Sequence, residues 1–280
     1  MLDIAIIGAG DLGGTLAHVL ARRSIAGVVR LIDEQVRIAE GKALDIEQAA
    51  PIEGFATRIS GARDLSIAAG AAVAIVADRA GGAEWEGDDG VMLLKRLSGF
   101  VSAGVIVCAG SSHRQLVDRA VRELHINRHR IFGSAPEALA AGARALTALA
   151  LDASPRDVAL SILGIPPDHL VIPWQDATLA GFAVNRMIDD PVRRRLAGRI
   201  SALWPPGQYA LAAAAAKTVE AMFGRSRSVV SCFLAPEDSM RHRLRTAAFP
   251  VRVGAAGVEQ VLAPSLSVVD RVALENATML

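Results

Sequence analysis

LDIAIIGAGDLGGTLAHVLARR, residues 2–23, decides the fold. A β-compatible run from Leu2 to Ile7 breaks on glycine. It passes at once into a segment with apolar residues at helical spacing, Leu12, Leu16, Val19 and Leu20. A strand feeding a helix through so short a turn is the first half of a βαβ unit. The same alternation continues. GVVRLID reads as a strand, and EQVRIAEGKALDIEQAA as a helix expected to stop before Pro51. TRISGA, AAVAIVA, GVIVCAG and NRHRIFG read as further strands, separated by helices such as GVMLLKRLSGFV and HRQLVDRAVRELH. Alternation of this kind predicts an α/β chain with a doubly wound parallel sheet of six strands and helices on both faces.

The second half has a different grammar. DVALSILG and HLVIPW read as strands, with helices near 190–203 and 207–223. SRSVVSCFL, FPVRVG and GVEQVLA read as antiparallel strands, and SLSVVDRVALENA as a closing helix. The expected organisation is a domain over residues 1–147 and a smaller α+β domain over 148–280. A long helix beginning near Ala135 is shared by both, with no low-complexity linker between them.

Composition narrows the class. Apolar residues make up 52% and aromatics only 4%, so the core must be built from Ala, Val, Leu and Ile. No apolar run approaches the roughly 18 residues of a membrane span, and the N-terminus reads as a strand rather than a cleaved leader. A net charge of +1 gives no field to draw nucleic acid. The runs Arg193–Arg195 and Arg241–Arg245 lack interleaved aromatics and read as solvated faces. Cys108 and Cys232 lie in apolar runs and read as buried thiols, which fits a reducing cytoplasm. His125 and His129 stand four apart, but no third ligand lies nearby and no metal site is read there.

The first βα turn carries chemistry. Gly8, Gly10 and Gly13 form G-x-G-x-x-G, with Ala9, Asp11 and Leu12 between them. The glycines allow a tight turn, close approach of a pyrophosphate and close helix–strand packing. The helix start then offers free N–H groups to phosphate. Asp33 closes the second strand, placed to accept from a ribose hydroxyl, and Glu34 beside it would repel a 2′-phosphate. The expected cofactor is NAD rather than NADP.

GAGDLGG, GKALDIEQAAP and FPVRVGAAGVEQV together resemble the lactate/malate dehydrogenase family, collinear over nearly the whole chain. The resemblance implies an NAD site, a small-molecule ligand and a homo-oligomer, dimer or tetramer. Family members pass hydride from a 2-hydroxy acid to NAD. A His takes the hydroxyl proton, an Asp holds the His, and arginines clamp the carboxylate. The His belongs to a Gly-Gly-His-Gly-Asp turn, and here the turn reads Gly164, Ile165, Pro166, Pro167 and Asp168. The Asp and the first Arg fall on Leu139 and Gly142, and an expected Asn on Ala109. The mobile loop, DRAGGAEWEGDDG, is acidic and keeps only Arg79 at its root. Two prolines replace a proton-transferring turn by a stiff one.

Candidate replacements are His169, His113, Ser111, Ser112 and Arg79, with Trp85 as a lid contact. For Ser112 to Gln115 and Ser134 to Glu137, capping boxes are the plainer expectation. Three readings stand open at this point. The chain is a diverged oxidoreductase or repurposed enzyme, or a non-catalytic NAD- or metabolite-binding pseudoenzyme serving as sensor or assembly subunit. The third is a conventional 2-hydroxy-acid dehydrogenase with a relocated base. The pocket wall of Leu139, Gly142 and Pro166 is expected to face a neutral ligand part. Anionic parts are expected at the helix starts near Gly10 and Ser112, or at Arg79.

Overall fold

A computed structural model describes residues 2–224, 228–237 and 244–279. Arg241, His242 and Arg243 of the second basic run lie outside the described residues, as do Ser226 and Arg227 at the start of SRSVVSCFL. In the first half, strands β1 (Asp3–Ile7), β2 (Val28–Ile32), β3 (Arg58–Ala62), β4 (Val73–Val76), β5 (Val105–Cys108) and β6 (Ile131–Gly133) alternate with helices. These are α1 (Asp11–Arg22), α2 (Val36–Glu53), α3 (Gly87–Phe100), α4 (Arg114–Glu123) and α5 (Ala135–Ala150). The six strands pair in parallel in the order β3-β2-β1-β4-β5-β6, so the direction of winding reverses between β1 and β4.

Alternation along β1 sorts the core. Ile4 and Ile6 point into one apolar layer with Leu12, Leu16 and Leu20 of α1. Ala5 and Ile7 point into the other, with Leu94 and Leu97 of α3 and Val117 of α4. Both faces are covered, which is why these strands read as nearly continuous apolar runs.

The second half holds β7 (Val158–Ala159), β8 (Leu163–Ile165), β9 (His169–Val171), β10 (Thr178–Leu179) and β11 (Phe182–Ala183). After them come α6 (Asp190–Ser201), α7 (Gln208–Phe223), β12 (Val229–Leu234), β13 (Ala247–Gly254), β14 (Gly257–Val261) and α8 (Val268–Met279). β12, β13, β8 and β9 continue the first sheet beyond β6 in antiparallel pairing, so one 11-stranded sheet crosses the boundary expected at residue 147. Helix α7 lies on the α1 layer, where Ala212, Ala214, Ala215 and Ala216 are buried. Alanines allow the close helix approach that a core poor in aromatics requires.

Two sequence expectations need correction here. Helix α2 runs through Pro51 to Glu53 and ends at Gly54, whose φ of 77° is left-handed. Pro51 sits in the last turn, so the donor it removes interrupts the helix only just before Gly54 supplies the stop. DVALSILG is two strands rather than one: β7 joins a small separate sheet with β10 and β11, while β8 joins the large one.

Candidate functional site

The site lies at the carboxyl ends of β1, β4 and β5, the switch point where ligands bind in such sheets. Gly8 takes a φ of 111° and donates to Ile32 O at 2.7 Å, making the sharp turn out of β1. A Cβ at Gly13 would overlap Gly8 O, so α1 can approach β1 this closely only with glycine. Lys42, from the GKALD stretch, donates to Gly10 O at 2.7 Å and lies 3.6 Å from Asp11. Asp33 is buried. Its Oδ2 accepts from Ala9 N at 2.8 Å and Ala80 N at 2.9 Å, and its Oδ1 from Gln35 N at 2.8 Å.

A glycine turn, a helix start and an acid at the end of the second strand are the features that hold a dinucleotide in sheets of this kind, the helix-start N–H groups taking the diphosphate and the acid a ribose. In this structure the Leu12 and Gly13 N–H groups already have an acceptor. Asp78, just past β4, takes Leu12 N on Oδ2 at 3.1 Å and Gly13 N on Oδ1 at 2.9 Å. Its backbone O accepts from Gly10 N at 3.0 Å. A Cβ on Gly10 would strike the Asp78 carboxylate. The residues fit a dinucleotide once that side chain turns away.

The chain from Asp78 folds back on itself. Asp78 and Glu84 pair as an antiparallel bridge, and Gly81 takes a φ of 67° at the bend. Glu84 lies at the start of α4. Its Oε1 accepts from Ser111 N at 2.9 Å and Ser111 Oγ at 3.2 Å, and its Oε2 from Ser112 N at 2.7 Å and Ser112 Oγ at 2.6 Å. Burial works against this charge, yet His113 and the Ser112 and Ser111 hydrogen bonds outweigh it, holding the carboxyl below its ordinary value. His113 is fully buried; Nδ1 accepts from Gly110 N at 3.0 Å and Nε2 has no hydrogen-bond partner among the described residues. Burial holds the imidazole below its ordinary value against the pull of Glu84.

Neither expected capping box forms. The Ser112 hydroxyl goes to Glu84, and His113 precedes the first residue of α4. Ser134 precedes α5 without a side-chain cap, because Glu137 turns to Arg144, to Lys217 Nζ at 2.6 Å and to Ser231 N at 2.8 Å. That cluster lines a separate cavity of about 500 Å³.

Next to the glycine turn, Arg79 lies 4.6 Å over the Trp85 ring and 3.9 Å from Asp89, above a cavity of about 270 Å³ that Asp33 also lines. A larger cleft of about 510 Å³ opens between Trp85, Ser111, Ser112, Arg114, Pro166 and Trp204. His169 stands exposed on the β8–β9 hairpin, away from this cleft.

The wall expected from three replaced residues is different in fact. Pro166 lines the cleft, but Leu139 is packed inside the core between α5 and α6. Leu203 Cδ1 covers Gly142, so a Cβ there would meet it at 2.6 Å. Trp204 packs edge-on against Phe233, ring centroids 5.9 Å apart, and closes the cleft from the α6–α7 turn. Anionic ligand parts were expected at Gly10 and Ser112, but those positions are held by Asp78 and Glu84. Sequence reasoning missed Lys42, Asp78, Glu84 and Arg114. An acid directly after the fourth strand, facing the unpaired amides of a glycine turn, is the signal that could have found Asp78.

Fold and turn together define a Rossmann-type dinucleotide protein with a second α+β unit. Residues 2–102 match the family described as lactate/malate dehydrogenase, NAD binding domain. A malate dehydrogenase of Desulforudis audaxviator is 29% identical, covering 98% of this chain and 94% of that protein. One of Chlorobium phaeobacteroides is 28% identical, covering 100% and 96%. The solved malate dehydrogenase of Salinibacter ruber superposes with a TM-score of 0.86 at 24% identity, over 99% of this chain and 94% of that one. Residues 2–102 are an NAD-binding domain of the lactate/malate dehydrogenase kind, and the chain as a whole is similar to malate dehydrogenases along its length.

Proposed function

We propose that this is an NAD-binding lactate/malate dehydrogenase-like protein that does not carry out ordinary malate or lactate oxidation and acts on a different small molecule. The observation that carries the reading is the chemistry of Leu139, Gly142 and Pro166, which stand where the resemblance expects a carboxylate, a guanidinium and an imidazole. A proton acceptor must come within hydrogen-bond reach of the hydroxyl it serves. His113 is fully buried and His169 lies away from the cleft, so neither supplies a relocated base. Restoring the family's groups by substitution would force an arginine at Gly142 into Leu203.

Residues 1–147 hold the cofactor in this reading, and 148–280 supply the far wall of the cleft. The ligand has an apolar part against Pro166, Trp204 and Phe233. Arg114, which also lines the cleft, is the cation for any anionic end. A non-catalytic role as sensor or assembly subunit is the second reading, favoured by carboxylates already seated at both helix starts. Steady-state assays with malate, oxaloacetate, lactate and pyruvate, with either nicotinamide cofactor, are expected to give negligible turnover. A kcat in the ordinary range of about 1–10³ s⁻¹ on any of them would overturn the reading.

A further inference from the structure

We propose that the hairpin from Asp78 to Glu84 is a built-in competitor for the cofactor site, with the Asp78 carboxylate seated where the diphosphate of a dinucleotide belongs. The inference rests on the reading that the glycine turn holds a dinucleotide.

Three anchors dock the hairpin across the crevice. Asp78 takes the Leu12 and Gly13 amides at the start of α1. Ala80 donates to Asp33 and accepts from Gln35 Nε2, fixing the bend to the end of β2. Glu84 takes both amides and both hydroxyls of Ser111 and Ser112 ahead of α4. The Asp78–Glu84 bridge holds the two acids in register, so one short element delivers a carboxylate to each of two helix starts.

A carboxylate on backbone amides at a helix start satisfies the same donors and the same positive dipole end that a phosphate would. Asp78 also fills the space above Gly10, the approach a pyrophosphate needs. Diphosphate and Asp78 cannot share those amides, and like charges at that separation repel. A dinucleotide therefore enters only with the Asp78 side chain swung out, and the protein's affinity is lowered by the closed fraction. The adenosine end makes no call on Leu12 and Gly13; it calls on Asp33, whose Oδ1 takes only the Gln35 amide while Ala80 stays on Oδ2, so removing the Asp78 carboxylate leaves that end as it was.

Calorimetry with NAD+, ADP-ribose and adenosine on the full chain, wild type and Asp78→Ala, tests this. The expected result is a tightening of roughly tenfold or more for NAD+ and ADP-ribose, with adenosine unchanged. Asp78→Asn, which keeps the size and an acceptor oxygen, is expected between the two and serves if the alanine variant does not fold. Equal dinucleotide affinity in wild type and variants would overturn the competitor while leaving the dinucleotide reading in place. Failure of every form to bind NAD+, ADP-ribose and adenosine would overturn both. A gain for adenosine equal to that for NAD+ would overturn the assignment of Asp78 to the diphosphate position.

Discussion

Glu84 shows how much a single carboxylate can organise. It accepts four hydrogen bonds from two consecutive serines and sits beside a buried imidazole that burial holds below its ordinary value. Its carboxyl is lowered in the folded chain, so the unfolded chain binds the proton more readily below the ordinary value of about 4.3. The stability it contributes is therefore present above that value and is lost as pH falls through the folded one. His113 is lowered too, so below about 6.5 the unfolded chain takes up its proton first and stability again falls toward acid. Denaturant unfolding across pH is expected to show an acid limb that flattens in Glu84→Gln. The same variant should lose about 1–2 kcal/mol at neutral pH, the lower part of the range for bonds to a charged group because Glu84 is only partly buried. An unchanged acid limb would remove Glu84 from this role.

At the scale of elements, helix α5 is tied to its neighbours by one residue. Glu137 reaches Arg144 on its own helix, Lys217 on α7 and the backbone of Ser231 on β12. Glu137→Ala leaves two cations and an amide without their acceptor. Removing one side of a buried pair costs about 3–5 kcal/mol, less here because Arg144 and Lys217 keep some water, so roughly 2–4 kcal/mol is expected in denaturant unfolding. A loss below about 0.5 kcal/mol would mean the cluster is a solvated pair.

The elements themselves were legible because hydrophobic period is local: β1 to β6 and α1 to α5 follow from runs of a few residues. What was not legible depends on contacts between distant positions. Ser134 and Glu137 have capping spacing, but Lys217 and Arg144 draw the buried Glu137 carboxylate away from the cap. Asp78 looked like a loop acid because its partners Leu12 and Gly13 lie more than sixty residues away.

For the whole molecule, the sequence pattern carried the likeness to lactate/malate dehydrogenases and the NAD-binding fold, since glycine turn, GKALD and the terminal strands keep their order along the chain. It carried less of the cleft. Leu203 and Trp204 sit in a turn with no recognisable motif, yet Leu203 covers Gly142 and Trp204 bounds the cleft. On the outside, α2 presents Ile38, Leu44 and Ile52 to solvent, and α7 presents Tyr209. We expect a second copy of this chain to cover the exposed apolar residues of α2. Light scattering should give a dimer or larger, and Leu44→Lys with Ile52→Lys should lower the mass; a wild-type monomer at micromolar concentration would sink the expectation.

The scarcity of aromatics has an optical consequence. Of three indoles in the chain, Trp85 and Trp204 both border the large cleft, and Trp85 also roofs the cavity beside Asp33. Ultraviolet emission from this protein therefore originates largely at its own ligand door. Trp85 lies under a guanidinium that any movement of the hairpin would displace. A reduced nicotinamide absorbs where indole emits, so its arrival would quench that light by energy transfer. Replacing each indole by phenylalanine in turn would separate the brightness of the hairpin from that of the α6–α7 turn, giving a label-free view of which side of the cleft a molecule has touched.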